Sequence, residues 1–212
     1  MNIQAIIAPF VRPFIRRSIA MRASQFERLP RRPGRVVFLG DSITEWGLWE
    51  EWFPELAVLN RGIGGDSVGG VQARLGTAIE DPTAVSLLIG TNDLGGMGQS
   101  RDVGRIATQA RELIVSIRGL APDATLLVNS VMPRTRSLAA PIQDLNHRYA
   151  AIATESGAKY VDLWPVLADR DGSMRDELTL DHLHLNGAGY EAWVAVLRPL
   201  LAQGDGPAQT SR

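Results

Sequence analysis

A serine hydroxyl becomes a nucleophile only when a neighbouring base takes its proton, and histidine is the usual base because it titrates near neutrality. Ser42 follows the hydrophobic run Val36-Val37-Phe38-Leu39 and the pair Gly40-Asp41, where a helix should begin. That placement exposes a hydroxyl at the edge of a sheet, beside free helix amides. The chain has three histidines, His147, His182 and His184. His147 lies in the apolar-periodic stretch Leu145 to Ile152 and reads as a helix-surface or satisfied core residue. His182 and His184 flank Leu183 beside Asp181. A carboxylate three residues before a histidine is within reach on a helical turn, where it can accept the Nδ1 proton and orient the ring. Asp181 with His184 therefore fits better than Asp181 with His182.

Acyl transfer also needs donors aimed at the developing oxyanion, each worth about 3 to 4 kcal/mol when removed. The chain offers the backbone amide of Ser42 at a helix start, the amide of Gly65 in a loop where a side chain would block approach, and the carboxamide of Asn92. The last two have plainer alternatives. Gly64 and Gly65 suit a tight turn that needs positive φ, and Asn92 suits an Asx turn or a helix N-cap. Asp41, Asp66, Thr91 and Asp93 read as groups that hold loops through backbone hydrogen bonds, and Arg61 as a loop anchor.

Trp46, Trp49, Trp52 and Phe53 recur at helical spacing directly after Ser42, and such a stripe is more often core than pocket. Trp46, one turn from Ser42, is the member placed to line an acyl site. The glycine-rich stretch Leu94 to Gly98 offers Met97 as an adaptable pocket contact, and reads equally well as a connector.

These residues must be positioned by something. Five apolar runs of strand length recur, Val36 to Leu39, Ala57 to Leu59, Val85 to Ile89, Thr125 to Val128 and Tyr160 to Leu163. Between and after them Val71 to Ile79, Val103 to Ile117, Leu145 to Ile152 and Ala188 to Leu201 have helical spacing. Continuous apolar strands alternating with helices predict an α/β fold, a flavodoxin-like three-layer α/β/α sandwich around a five-stranded parallel sheet. Ligands in such folds bind beyond the carboxyl ends of the strands. The candidate residues pass that filter: Gly40-Asp41-Ser42 follows the first run, Asn60 to Asp66 the second, and Gly90-Thr91-Asn92-Asp93 the third.

The 212 residues suffice for one domain with a sizeable core. A net charge of −1, with acids and bases interspersed, gives no overall basic field to recruit nucleic acid. The absence of cysteine excludes thiol catalysis, thiolate metal sites and disulfides. Residues 1–34 form a basic extension with Arg12, Arg16, Arg17 and Arg22 among apolar residues. Its apolar run, interrupted by Pro9 and Arg12, is too short for a bilayer span and reads poorly as a signal peptide, so the expectation is a cytoplasmic protein. Pro9 and Pro13 weaken any long continuous helix there. The extension is expected to pack on the body or on a dimer mate, with weak contact to an anionic membrane surface as the alternative. The hydrolase domain would span 35–202, and the tail Gln203 to Arg212 reads as disordered.

The blocks Gly40-Asp41-Ser42, Asn60 to Ser67, Gly90 to Asp93 and Asp181 to Leu185, in that order, resemble the four blocks of the SGNH (GDSL-type) hydrolase family. GIGGDS and DHLHLNGAGY look most like the branch that contains the platelet-activating-factor acetylhydrolase catalytic subunits. The resemblance implies a metal-independent esterase without a cofactor, with Ser42 as nucleophile, Asp181 and His184 completing the triad, and Ser42, Gly65 and Asn92 as oxyanion donors. A homodimer is compatible with that branch. The substrate would be a small ester, short-chain acyl or O-acetyl above lysophospholipid or thioester. Two other classes compete: a non-catalytic phosphate-binding module built on the glycine loops, and a metal site using Asp181, His182 and His184. A phosphate binder has no need for Asp181, His184 and Asn92 together, and for a metal site only one more histidine exists and no acidic partner has evident spacing.

Overall fold

Apolar runs pair side by side when both of their faces can be buried. In the computed structural model, which describes residues 3–95 and 102–202, five such runs form one sheet. These are β1 (Val36–Gly40), β2 (Val58–Gly62), β3 (Ala84–Leu88), β4 (Thr125–Asn129) and β5 (Lys159–Val161). All pairs are parallel and the order is β2-β1-β3-β4-β5. This is the flavodoxin-like order, with its topological switch between β1 and β3.

Helix α1 (Ile3–Arg28) precedes the sheet. α2 (Ser42–Glu45) and α3 (Trp49–Trp52) follow β1, and α4 (Val68–Ala73) and α5 (Leu75–Ala78) follow β2. β3 leads to α6 (Thr91–Gly95) and α7 (Val103–Leu120), β4 to α8 (Ala139–Glu155), and β5 to α9 (Trp164–Leu167) and α10 (Gly187–Leu201). Side-chain alternation along β1 feeds two cores. Val37 and Leu39 pack with α4, α5, α7 and α8, while Val36 and Phe38 pack with α2, α3, α9 and α10. The five-stranded three-layer sandwich is thus the observed architecture. Among the described residues no helix is long and apolar enough to cross a membrane.

Three local expectations shift. The second run extends past Leu59 through Asn60 and Arg61 to Gly62, because β2 is an edge strand whose polar side chains find partners. Asn60 Nδ2 donates to the carbonyls of Glu45 (2.9 Å) and Gly47 (3.2 Å). The helix read over Val71 to Ile79 breaks at Arg74, which leaves helical geometry at φ −116°, ψ 14°. Its guanidinium donates to Asp66 Oδ2 (2.8 Å) and to the Gly40 carbonyl (3.1 Å). Finally, α1 runs without interruption through positions 9 and 13. Interior proline costs about 3 kcal/mol, and docking of the second half of this helix on the body offsets it: Phe26 is buried and Arg22 bonds the Gly62 carbonyl. The tail from Gln203 lies outside the described residues.

The sheet edge that carries Ser42 is crowded and charged. A Cβ on Gly62 would lie 2.2 Å from the Glu45 nitrogen, so only glycine lets β2 end against α2. Asp41, fully buried, caps α2 by accepting from the Ile43 amide at 3.0 Å, while its Oδ2 has no partner among the described residues. Burial first, then the nearby carboxylates of Asp66 and Asp93, push Asp41 from an ordinary 3.8 up to about 7. Between those values the folded chain keeps a proton that the unfolded chain releases, so stability falls as pH rises through this window. The melting temperature should decline from pH 5 to pH 8, and Asp41→Asn, which keeps an acceptor for the Ile43 amide, should flatten the decline. Equal slopes for variant and parent would refute this account of Asp41.

Candidate active site

Ser42 opens α2 with only 9% of its surface exposed. Its Oγ lies 2.9 Å from His184 Nε2, across 142 residues of chain, and His184 Nδ1 lies 2.7 Å from Asp181 Oδ2. The expected proximity of Asp181 and His184 is made by a bend rather than a helical turn. Asp181 Oδ1 accepts from the amides of Leu183 (3.0 Å) and His184 (2.7 Å), and the intervening His182 adopts φ 54°. Outside the bend, Thr179 Oγ1 donates to the His184 carbonyl at 2.7 Å and Asn186 caps α10 through the Gly189 amide. Partial burial raises the Asp181 pKa, but the His184 ring and the two amides outweigh it and hold the carboxyl down at about 2. An ionised Asp181 takes the Nδ1–H bond, which leaves Nε2 as acceptor for the Ser42 hydroxyl.

The three candidate donors stand at the ends of adjacent strands: Ser42 beyond β1, Gly65 beyond β2 and Asn92 in α6 beyond β3. Among the described residues neither the Ser42 nor the Gly65 amide has a protein acceptor. Gly65 has φ +82°, and a Cβ there would meet Ile15 Cγ2 at 2.8 Å, so both backbone and space demand glycine. Asn92 is a tie to the glycine loop: its Nδ2 donates to the Asp66 carbonyl at 2.8 Å, with a second N–H remaining. Asp66 pairs with Arg74, and Asp93 Oδ2 accepts from the Val68 amide at 3.1 Å, which orders the start of α4. Arg61 lies in β2 with its guanidinium carbon 4.8 Å from the centre of the Phe26 ring.

The aromatic stripe divides. Trp49 and Phe53 are buried, with Trp49 stacked on Phe38 at 4.0 Å, whereas Trp46 is 55% exposed and stacks on the His184 ring at 4.1 Å and 27°. Met97 lies outside the described residues. His147 is exposed on α8, and His182 Nε2 stands 3.8 Å from Asp176 Oδ1. With both His184 nitrogens engaged, Asp181, His182 and His184 do not assemble as a ligand set. Among the described residues no group of three or more His, Cys, Asp or Glu side chains is placed to hold a metal ion.

Two site neighbours escape a reading of the sequence. Glu45 accepts from the Gly64 amide and pairs with Arg22 of α1 at 2.9 Å. The Ser42-Ile43-Thr44-Glu45 spacing is that of a capping box and could have drawn attention to Glu45, although its carboxylate goes to a different loop. No local signal points to Arg22.

The model of the GDSL-like Lipase/Acylhydrolase family matches residues 38–192. The chain is 30% identical over 187 residues to platelet-activating factor acetylhydrolase IB subunit alpha1 of Rattus norvegicus, which covers 81% of this chain and 78% of the relative. Solved structures share the fold. A GDSL-like lipase from Bacteroides thetaiotaomicron superposes with TM-score 0.74 at 20% identity, covering 87% of this chain and 97% of the other. A catalytic mutant of the acetylxylan esterase Axe2 from Geobacillus stearothermophilus superposes with TM-score 0.62 at 19% identity, covering 86% and 100%. With this match over most of its length, the chain belongs to the GDSL-like lipase/acylhydrolase family and is a carboxylic ester hydrolase of the GDSL type.

Proposed function

We propose that this hydrolase is a serine esterase that removes short acyl groups, acetyl foremost, through an acyl-enzyme on Ser42. The observation that carries the proposal is the chain of contacts from Asp181 Oδ2 to His184 Nδ1 (2.7 Å) and from His184 Nε2 to Ser42 Oγ (2.9 Å). His184 takes the Ser42 proton as Oγ attacks the ester carbonyl, and Asp181 stabilises the imidazolium. The amides of Ser42 and Gly65 and the free N–H of Asn92 receive the oxyanion. Collapse expels the alcohol, protonated by His184, and water activated by the same histidine then releases the acid. The acetyl preference draws on the names of two of the similar proteins, an acetylhydrolase and an acetylxylan esterase. Trp46 supports the histidine: its ring covers one face of His184 and restricts its rotation.

Ser42→Ala should lower p-nitrophenyl acetate turnover by about a thousandfold or more while leaving the circular dichroism and melting curve close to those of the parent. A fluorophosphonate should label the parent at Ser42. Wild-type turnover in the variant, or no labelling of an active parent, would sink the serine mechanism and favour a binding module.

Across p-nitrophenyl esters from acetate to decanoate, kcat/KM should peak at acetate or propionate. A maximum at octanoate or beyond would replace the short-acyl assignment with a lysophospholipase or thioesterase.

Trp46→Ala should lower kcat about tenfold, and Trp46→Phe, which keeps a stacking ring, should recover most of the loss. An unchanged kcat in Trp46→Ala would show that the ring has no part in holding His184.

A further inference from the structure

The N-terminal helix lies wholly outside the 38–192 family match, yet it reaches the glycine loop beside Ser42. Phe26, buried near the end of α1, lies among three guanidinium groups, those of Arg22 (5.4 Å from the ring centre), Arg61 (4.8 Å) and Arg74 (6.0 Å). One turn earlier, Arg22 Nε donates to the Gly62 carbonyl at 2.8 Å and stands 2.9 Å from Glu45 Oε1. The second oxygen of Glu45 accepts from the Gly64 amide. Further along the same helix, Ile15 and Ile19 pack over the Cα of Gly65.

We infer that Arg22 is a positioning residue for the oxyanion side of the site, acting through Glu45 and Gly62, so that α1 is a working part of the active site. The inference rests on the proposed serine-esterase mechanism, in which the Gly65 amide receives the oxyanion. Gly64 and Gly65 are consecutive glycines, so the peptide that presents this amide has more backbone freedom than any other pair of residues would allow. An oxyanion donor acts only when held within a few tenths of an ångström of its place. The carbonyl of Gly62 and the amide of Gly64 flank Ile63, and both are gripped by the same Arg22–Glu45 pair. The pair is partly exposed, 31% and 24% for the two side chains, and such a pair adds little to global stability. Its effect belongs in the chemical step.

In the full chain, Arg22→Ala should lower kcat for p-nitrophenyl acetate about tenfold with KM within about twofold and a melting temperature within a few degrees of the parent. Arg22→Lys, which keeps a cationic donor, should recover most of kcat. Glu45→Gln keeps an acceptor for Gly64 but breaks the ion pair, so combining it with Arg22→Ala should cost no more than the worse single change. Wild-type kcat in Arg22→Ala, no recovery by lysine in a folded variant, or fully additive losses in the double variant would overturn the positioning role. If Ser42→Ala retains activity, the serine mechanism itself has failed; if Ser42→Ala is dead and Arg22→Ala is normal, only the role of α1 has.

Discussion

Ser42 stands on a helix of four residues, α2, and a helix that short has no stability of its own. Its geometry is imposed from outside. Asp41 caps it, Tyr190 of α10 donates its hydroxyl to the Ile43 carbonyl at 2.6 Å, and Trp49 Nε1 donates to the Thr44 carbonyl at 2.8 Å. Asn60 of β2 reaches the Glu45 carbonyl, so backbone groups that a longer helix would satisfy internally are met by other elements. The aromatic group of Phe38, Trp49, Tyr190 and Trp193 then fills the space between α2, the sheet and α10. These bonds tie the Ser42 hydroxyl to the sheet, as the proposed nucleophile requires.

His184 is held with comparable density from the other end of the chain. The bend at Asp181 to His184 is closed on itself by two amide bonds to one carboxylate oxygen, while the second oxygen takes the ring. Thr179 and Trp46 fix the backbone and one ring face. Because α10 both follows this bend and contacts α2 through Tyr190, one helix sets the separation of Ser42 and His184. A low Asp181 pKa follows from the same contacts, so the carboxylate stays charged at neutral pH, as the proposed mechanism needs.

Much of this was legible in the chain. Parallel strands buried on both faces have no polar alternation, so the runs at Val36, Val85 and Thr125 announce themselves, and the residues just after them fall where doubly wound folds bind ligands. Asp181 and His184 were paired by spacing, although a bend made the contact. β2 was harder, because an edge strand tolerates Asn60, which bonds the Glu45 carbonyl, and Arg61, whose guanidinium lies over the Phe26 ring. The break at Arg74 was hidden too, since it depends on Asp66 and Gly40, which come close only after folding.

The order of strands and helices, the placement of Ser42, Gly65 and Asn92 at strand ends, and the Asp181–His184 pair are properties of local pattern, and the sequence by itself determined them. The course of α1 through two prolines, the attachment of Glu45 to Gly64 and Arg22, and the stacking of Trp46 on the His184 ring were decided only in the tertiary structure. The physical reason is common to all three. Periodicity and propensity report what a residue prefers within one turn or one strand. A proline's cost, a carboxylate's partner and an aromatic ring's face are settled by groups tens of residues away, whose positions exist only once the sheet has closed.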